Sequence, residues 1–248
     1  MIEIRDLAKT LGGRPVLHDV NLAIPEGQVT CIIGRSGSGK SVLLRHIVAL
    51  LTPDAGSVVV DGAPLAELTY PELRQVRRKF GVLFQGGALF DSMSALENVE
   101  FPLRTFTDLS RAEVRARARE CLALVELPNA GRQKPADLSG GQQKRVALAR
   151  AIAIEPKYIL YDEPTSGLDP ETSNTIDDLI SRLGRDLGTT SVVVTHDMHS
   201  VLSVADRIAF VSGGTVPWIG TIDDLHHATD ETLLAFVRAN EYKIGVGG

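Results

Sequence analysis

The sequence contains little cysteine and no long apolar run. Its two cysteines, Cys31 and Cys121, lie far apart and in no metal-ligand spacing. A cysteine-poor chain of this kind argues against a disulfide framework and fits a reducing compartment. The N-terminal MIEIRDL has no apolar signal region, and residues 208–222, the longest stretch without Asp, Glu, Lys or Arg, are too few to span a bilayer. We therefore expect a cytoplasmic protein that reaches a membrane only through a partner.

The sequence also lacks an excess of positive charge. Its 26 Lys and Arg residues against 31 Asp and Glu residues give a net charge of −5. No basic stripe is present, which argues against a nucleic-acid partner. One arginine-rich segment, residues 111–119, alternates its positive charges with Ala, Val and Glu113, and we interpret it as a solvated helix face. The length suits one large domain or one domain with an inserted subdomain.

Short β-branched apolar runs alternate with longer helical patterns, which predicts the α/β class. The predicted strands are Val29–Ile33, Val58–Val60, Phe80–Phe84, Tyr158–Tyr161, Ser191–Val194 and Ile208–Val211. Several of them are apolar throughout, as expected for parallel strands buried on both faces. Residues 85–155 contain no convincing strand and at least two helical patterns, which predicts a helical subdomain.

Helix starts are marked by capping residues. Two pairs have the spacing of a capping box, Thr69 with Glu72 and Ser110 with Glu113. Asp169 precedes a proline, which is typical of an N-cap followed by proline at the first helical position. These signals fix where three of the predicted helices begin.

A glycine-rich loop follows the apolar strand Val29–Ile33 and opens a helix predicted over Ser41–Leu51. The loop matches the P-loop pattern with Gly34, Arg35, Ser36, Gly37, Ser38, Gly39, Lys40 and Ser41. Glycines let consecutive backbone N–H groups curl around phosphates, and the helix N-terminus adds partial positive charge. Lys40 would contact the β- and γ-phosphates, and the Ser41 hydroxyl would bind Mg²⁺. The loop therefore predicts nucleotide binding.

Two carboxylates end a second apolar strand, Tyr158–Tyr161. In P-loop folds an Asp at this position coordinates Mg²⁺, and Asp162 fits that role through a water. Glu163 comes next, where it would orient or deprotonate the attacking water, a form of assistance worth about 10²–10⁴ in rate. The alternative is an acidic loop start after a buried strand, which the P-loop in the same chain makes the weaker interpretation.

A second anion-binding helix start is predicted at LSGGQ, residues 138–142. Ser139 and Gln142 have the capping-box spacing, while Gly140 and Gly141 leave backbone amides exposed. One ATP molecule does not need two such phosphate-binding helix N-termini. We therefore infer a nucleotide site that a second subunit completes.

The order of these motifs resembles that of the ATPases of ATP-binding-cassette (ABC) transporters, over roughly Ile2 to Leu225. The resemblance identifies Gln85 as the Q-loop glutamine, residues 166–169 as the D-loop and His196 as the switch histidine. It implies a P-loop NTPase (RecA-like) core with an N-terminal antiparallel β subdomain and an inserted helical subdomain. We expect a single nucleotide-binding domain divided into an ATP-binding core (1–84 and 156–230), a helical signature subdomain (85–155) and a C-terminal tail (231–248).

The resemblance also implies the mechanism: an ATP hydrolase that uses ATP and Mg²⁺. Two copies would sandwich two ATP molecules head to tail, joining the P-loop of one chain to the signature of the other. Nucleotide contacts beyond the P-loop would come from Ser139, Gly140, Gly141, Gln142 and Asp169. Lys40, Gln85, Glu163 and His196 would be catalytic, with Ser41, Gln85 and Asp162 on the metal. A membrane permease would be the further partner, on the inner face of the cell membrane.

One position departs from the family pattern. ABC ATPases often place an aromatic residue near the end of the first strand pair, where it stacks on adenine. Leu11 occupies that place in this sequence. We expect it to make apolar contact with the base at best, so that base selectivity would be loose.

The transported molecule is predicted from a second, narrower resemblance. Residues 83–90 and the stretch that follows are similar to the same region of ATPases that serve MCE-domain lipid transporters, including Mla-type phospholipid systems. Ala88, Leu89, Phe90 and Met93 would form an apolar surface for a coupling helix of the permease, or would simply pack the helical subdomain. This resemblance predicts phospholipid transport with an MCE-domain partner.

Two other functions stay open. The first is an ATPase of an importer for an amino acid, a metal or another small molecule, which a solute-binding protein among its partners would mark. The second is a non-transport ABC protein acting on DNA or ribosomes, which the single P-loop and the lack of an inserted coiled coil disfavour. The amphipathic residues 230–240 would pack on their own domain, which we favour, or hold two subunits together.

Overall fold

The computed structural model describes residues 1–240, so that residues 241–248 of the predicted tail lie outside the described part. The strands in chain order are β1 (Ile2–Leu11), β2 (Arg14–Ile24), β3 (Val29–Ile33), β4 (Ala55–Val60), β5 (Ala63–Pro64), β6 (Phe80–Leu83), β7 (Tyr158–Asp162), β8 (Thr190–Thr195), β9 (Arg207–Ser212) and β10 (Thr215–Gly220). The helices are α1 (Lys40–Ile47), α2 (Tyr70–Arg77), α3 (Ala95–Phe106), α4 (Arg111–Leu124), α5 (Gly140–Ile152), α6 (Pro170–Leu187), α7 (Met198–Val204), α8 (Ile222–His226) and α9 (Glu231–Ala239). Within residues 1–240, no helix is both long and apolar enough to cross a membrane.

The chain divides into two compact units. Within the described residues, the first unit contains Met1–Arg77 and residues 190–240, and the second unit contains residues 78–189. The predicted α/β class, with an antiparallel β subdomain and a helical insert, is confirmed. The predicted boundaries of the core and the signature subdomain (84/85 and 155/156) divide the chain differently from these units and stay a prediction.

An antiparallel sheet of the first unit has the strand order β2-β1-β4-β5. Gly12 and Gly13 join β1 to β2, and both have positive φ, as a tight two-residue hairpin requires. Ile2, Ile4 and Leu7 are buried on β1, so the alternation of period two breaks after Ile4. The register shifts there and Asp6 has a φ of 48°, which indicates a bulge. This bulge interrupts the simple alternation by which the full length of β1 would be recognised in the sequence.

The second sheet of the first unit has the order β10-β9-β3-β8. All five residues of β3 are buried between two parallel neighbours, β8 and β9. The bounds of β3 coincide with the predicted strand Val29–Ile33, a run that is apolar apart from Thr30 and that lies between polar segments. Parallel strands end at one edge of the sheet, and the P-loop leaves this edge.

Helix α1 is shorter than predicted. The predicted helix Ser41–Leu51 begins one residue earlier, at Lys40, and ends at Ile47. Ala49 has a φ of 55°, and the backbone N–H of Leu50 donates to the carbonyl oxygen of Arg45, which closes the last turn. The helix therefore ends before the proline that was expected to stop it.

The second unit pairs β6 with β7 in parallel and contains helices α3 to α6. The capping boxes at Ser110 and Ser139 are both formed, and Asp169 caps α6. A further capping box at Ser94, which begins α3, was not predicted. On α4 the arginines are largely exposed, while Arg117 is half-buried and forms ion pairs with Glu120 and Glu155.

The amphipathic helix α9 packs on its own unit. Leu233, Phe236 and Val237 are buried, and Leu234 is half-buried. The ring of Phe236 lies against that of Phe210 in β9, with centroids 5.5 Å apart. The apolar face of the described part of the tail is therefore satisfied within one chain.

Candidate nucleotide site

The P-loop of the first unit depends on glycines at two close approaches. Gly34 follows β3 with a φ of 151°, and a Cβ there would overlap the carbonyl oxygen of Val211. Gly39 has a φ of 105°, and a Cβ there would lie 2.7 Å from Leu17 Cδ2. Neither backbone conformation suits a residue with a side chain. The loop is thus shaped by main-chain geometry.

Polar groups line the inner side of the loop. Lys40 is 6% exposed, and its Nζ donates to the carbonyl oxygens of Gly34 (2.7 Å) and Arg35 (3.1 Å). Ser41, half-buried, lies in the first turn of α1, whose N-cap Gly39 provides no side-chain bond to the first N–H groups. In the described part of the chain, the buried hydroxyl of Ser38 has no hydrogen-bond partner. Such donors at a helix N-terminus fit a phosphate group.

A cavity of about 590 Å³ opens beside the loop. It is lined by Arg14, Pro15, Val16, Arg35, Ser36, Gly37, Ser38, Phe210, Val211, Ser212, Gly213, Gly214, Thr232 and Ala235. Its volume lies within the range of small-molecule pockets, about 300–1,000 Å³. Arg35, Ser36 and Gly37 are exposed, so a ligand in this cavity would reach the P-loop directly.

His196 lies at the same edge of the sheet as the P-loop. Ile33 of β3 pairs with Thr195 of β8 in parallel register, so that Gly34 and His196 leave neighbouring strands at the same level. The side chain of His196 is exposed. The turn that follows is held by Asp197, which accepts a hydrogen bond from the backbone N–H of His199. The structure therefore brings the predicted switch histidine next to the P-loop strand.

Leu11 lies elsewhere in the first unit, at the end of β1. It pairs with Arg14 across the hairpin turn and is 37% exposed. Its exposed apolar side chain is available for contact with a flat ligand, but it offers no aromatic face for stacking.

The second unit brings the other group of predicted residues to one edge of β6 and β7. Leu83 pairs with Tyr161, so that Gln85 and the two carboxylates, Asp162 and Glu163, follow neighbouring parallel strands. Both carboxylates are half-buried, and Gln85 is exposed. Glu163 has a φ of 50°, a left-handed conformation that costs energy in a non-glycine residue. Such strain at a predicted catalytic residue is typical of functional sites.

The D-loop is tied to this edge by hydrogen bonds. Gln85 Nε2 donates to Ser166 Oγ at 3.4 Å, which joins the Q-loop to the D-loop. Asp169 accepts hydrogen bonds from Thr172, from its backbone N–H at 3.0 Å and from its hydroxyl at 2.6 Å. These bonds hold the pKa of Asp169 below its usual value. At neutral pH the ionised carboxylate therefore caps α6.

The signature segment forms the start of α5. Ser139 N donates to Gln142 Oε1 at 2.9 Å, and Gln142 N donates to Ser139 Oγ at 3.3 Å. Ser139 and Gly140 are exposed at this helix N-terminus. Gly141 is buried against α6, and a Cβ there would overlap the methyl Cγ2 of Thr172. The second glycine of the motif is thus required by packing within the unit.

Sequence reasoning missed one contributor to this region, Lys144. It is buried in α5, and its ammonium group donates to main-chain carbonyls of the loop that carries Glu163. A signal was present, because Lys144 lies on the helix face shared by Ala147, Leu148 and Ala151, which are buried.

Comparisons with known proteins agree on the class of protein. A family model described as ABC transporter matches residues 17–166. The methionine import ATP-binding protein MetN of Caulobacter vibrioides is 44% identical over 100% of this chain and 76% of its own length. That of Burkholderia thailandensis is 44% identical over 97% of this chain and 72% of its own length.

Solved structures give the same fold. An ATP-binding cassette in a dimeric post-hydrolysis state bound to ADP and Pi has a TM-score of 0.82 at 40% identity, covering 90% of this chain and 99% of its own. The protein cbiO1 from Clostridium perfringens, part of an ABC transporter complex, has a TM-score of 0.83 at 28% identity, covering 96% and 94%. Both are similar to this chain over nearly its whole length.

These findings overturn the prediction of phospholipid transport. The similar proteins at 42–44% identity are named methionine import ATP-binding proteins, which are ATPases of amino-acid import and not of Mla-type phospholipid transport. The narrower resemblance relied on a short stretch, residues 83–90 and its continuation, whereas the relatives match along the whole chain. The predicted MCE-domain partner is likewise not supported.

The broader predictions are confirmed. A protein of this family is an ATP hydrolase that uses ATP and Mg²⁺, works at the inner face of the cell membrane, and acts as a pair of cassettes with a membrane permease. The match of the family model to more than half of the chain carries this conclusion. The chain belongs to the ABC transporter family.

Proposed function

We propose that this chain is the ATP-hydrolysing subunit of an ABC importer for an amino acid, with methionine as the first candidate. The observation that carries the proposal is the 44% identity to methionine import ATP-binding proteins over 97–100% of the chain. The matched length extends over the whole chain and is not confined to the ATPase motifs. An importer of a small solute was the alternative that the sequence left open.

In the first unit we assign phosphate binding to the P-loop. Lys40 lies inside the loop and would exchange its two carbonyl contacts for oxygens of the β- and γ-phosphates. The backbone N–H groups of residues 36–39 and the Ser38 hydroxyl would donate to the same phosphates. His196 would contact the γ-phosphate, supported by its register beside the P-loop strand.

In the second unit we assign water activation to Glu163. Its backbone is strained, and the residue before it, Asp162, ends a buried strand, so both carboxylates are held on rigid backbone. Gln85, bonded to Ser166, would sense the metal and the attacking water. The metal ligands predicted from the sequence are Ser41 in the first unit and Gln85 and Asp162 in the second unit, and bound Mg²⁺ would neutralise charge on the transferred phosphoryl group.

Two copies of the chain would bind two ATP molecules head to tail. The exposed helix start at Ser139 and Gly140 offers N–H donors to a γ-phosphate bound by the other copy. Gly141, Gln142 and Asp169 would complete that contact. Loss of the γ-phosphate on hydrolysis would remove the bridge, and the two copies would separate.

The permease would contact an exposed apolar surface beside the Q-loop. Phe90 and Phe101 are 41% and 38% exposed, and their ring centroids lie 4.9 Å apart. Arg150 donates to the carbonyl oxygens of Ala88 (2.7 Å) and Gly87 (2.8 Å), which fixes the loop that carries this surface. A preformed apolar patch of this kind suits the face of an amphipathic helix.

The proposal is tested by purifying the tagged chain from its native membranes in mild detergent and identifying bound proteins and lipids by mass spectrometry. We expect a multi-spanning permease together with a solute-binding protein that binds methionine. An MCE-domain protein with enriched phospholipid in place of the solute-binding protein would contradict the importer. Phe90→Asp should lose the permease, whereas Tyr70→Asp, at a residue 69% exposed on α2, should retain it.

A further inference from the structure

Lys144 is a buried cation with an unusual pair of partners. It is 7% exposed and lies in the second turn of α5, one turn after the signature glycines. Its Nζ donates to the carbonyl oxygen of Ser166 at 2.6 Å and to that of Glu163 at 3.4 Å. Both acceptors belong to the main chain of the loop after β7, so the ammonium group bridges the two ends of one four-residue segment.

Burying a charged group at this position costs free energy, and packing alone does not explain why a lysine is present. Burial lowers the pKa of the Lys144 ammonium group, and only the negative charge of Glu163 opposes this effect. A buried ammonium group is destabilising unless its protons are hydrogen-bonded. A leucine or methionine of similar volume would fill the site without this cost.

The segment from Glu163 to Ser166 needs support of this kind. Glu163 has a φ of 50°, and strained residues persist only where their surroundings hold them. The backbone N–H of Ser166 also donates to the carbonyl oxygen of Glu163, at 3.2 Å, closing a turn. The ammonium group of Lys144 donates to the carbonyl oxygens at both ends of this turn and so holds the two ends close together.

We infer that Lys144 is a positioning residue, which holds the turn of residues 163–166 and so orients the carboxylate of Glu163 toward the attacking water. The inference rests on the proposed role of Glu163 as the group that activates this water. The same contact joins α5, which begins with the signature, to the loop of Glu163. A shift of the signature helix therefore moves the catalytic carboxylate of the same chain.

Hydrolysis by the purified full-length chain tests this role. Lys144→Met keeps the length and apolar volume and removes the donor, so kcat should fall about 10–100-fold, as expected when a reacting group is misplaced by about 1 Å. KM for ATP should stay within about twofold, because Lys144 reaches no residue that we assign to ATP binding. Lys144→Gln, which retains a shorter donor, should recover part of kcat. Lys134→Met, at an exposed lysine, should match the wild type.

A double-mutant cycle separates positioning from general damage. In the Glu163→Gln background the carboxylate is absent, so adding Lys144→Met should change the residual single-turnover rate less than about twofold. The inference is overturned if Lys144→Met has the wild-type kcat, or if the substitution lowers the hydrolysis rate by the same factor in the wild-type and Glu163→Gln backgrounds. Should Lys144→Met fail to fold by circular dichroism, Lys144→Gln is put through the same two comparisons.

These outcomes are distinct from a failure of the proposed function. They are measured on ATP hydrolysis and do not depend on which molecule is transported. A chain that hydrolyses ATP and shows the cycle above, but that copurifies without a solute-binding protein, would lose its assignment as an importer and keep that of Lys144.

Discussion

The P-loop in the first unit and the loop after β7 in the second unit are built in different ways. The P-loop owes its shape to glycines, because a Cβ at Gly34 would overlap a main-chain oxygen. The loop after β7 begins with a strained non-glycine residue, Glu163, and accepts hydrogen bonds from the side chains of Lys144 and Gln85. Each loop accepts hydrogen bonds from a buried lysine, Lys40 or Lys144, but the P-loop also depends on a glycine at a main-chain contact, whereas a Cβ at Gly167 in the other loop would meet nothing within 4 Å.

This difference determines how each loop responds to mutation. A clash with a main-chain carbonyl cannot be relieved by substituting a neighbouring side chain. A clash or a hydrogen bond that involves a side chain, in contrast, can be removed or restored by one further substitution. We therefore expect substitutions in the P-loop to resist rescue and substitutions around the second unit's loop to be rescued by a partner change.

The largest effect is expected for Glu163→Gln. Removing the carboxylate should lower kcat by about 10²–10⁴, because general-base assistance contributes that much. ATP binding should persist, since the phosphate contacts come from the P-loop. Steady-state hydrolysis and equilibrium binding of a fluorescent ATP analogue measure the two quantities. Hydrolysis at the wild-type rate would show that Glu163 is not the base.

A smaller effect is expected for Gly34→Ala. The added Cβ meets the Val211 carbonyl and the residue keeps an unfavourable φ, so the loop must move. ATP affinity should fall at least about tenfold, which corresponds to about 1.4 kcal/mol. Gly37→Ala is the matched control, because its Cβ would meet nothing within 4 Å and only its φ of 79° is strained. Equal losses of ATP affinity in the two variants would contradict the explanation by a clash with the Val211 carbonyl.

Gly141→Ala should be rescued by a change in its partner. The clash is with the methyl group of Thr172, and overpacking of this type costs about 1–3 kcal/mol in the free energy of unfolding. Adding Thr172→Ser removes the methyl group and keeps the hydroxyl that donates to Asp169. Thermal stability should recover in the double variant, and a double variant no more stable than Gly141→Ala would contradict the packing.

The cap of α6 should depend on pH. The pKa of Asp169 is lowered in the folded chain, so ionised Asp169 stabilises the fold at neutral pH, and this contribution is lost as the pH falls from the ordinary value near 3.8 through the lower folded value. The difference in Tm between the wild type and Asp169→Asn should therefore be largest near pH 7 and shrink below pH 4. A difference in Tm that grows as the pH falls would contradict the stabilising role of the ionised carboxylate.

The smallest effect concerns the two cysteines, one in each unit. Burial raises the pKa of the Cys121 thiol to about 11, and Cys31 is fully buried in β3. At pH 8 both should react with iodoacetamide far more slowly in the native chain than in urea. Because each reports on one unit, labelling in rising urea also shows which unit opens first, and rapid native labelling of Cys121 would contradict its burial.

The sequence predicted elements whose residues follow a local rule. The bounds of β3 and the capping boxes at Ser110 and Ser139 were predictable because apolar runs and short capping patterns depend on nearby residues only. The end of α1 was not, because the left-handed Ala49 has no sequence signal of its own. The bulge at Asp6 in the same way hid the length of β1.

The residues of the candidate site were predictable from sequence motifs, but the contacts between them were not. The P-loop, Asp162, Glu163 and the signature were found from order and spacing, and their roles remain proposals. Lys144 was missed because a lysine in an amphipathic helix is usually exposed, and its loop partners lie 19 and 22 residues away in sequence. The transported molecule was predicted wrongly, because a short apolar stretch was given more weight than the chain as a whole.

The most direct test of the proposed importer is methionine uptake by cells in which the native gene is replaced by the Glu163→Gln variant. At low external methionine, uptake of the labelled amino acid should fall to the level of a deletion strain, and the wild-type gene should restore it. Uptake equal to that of the wild type would show that this ATPase does not drive methionine import.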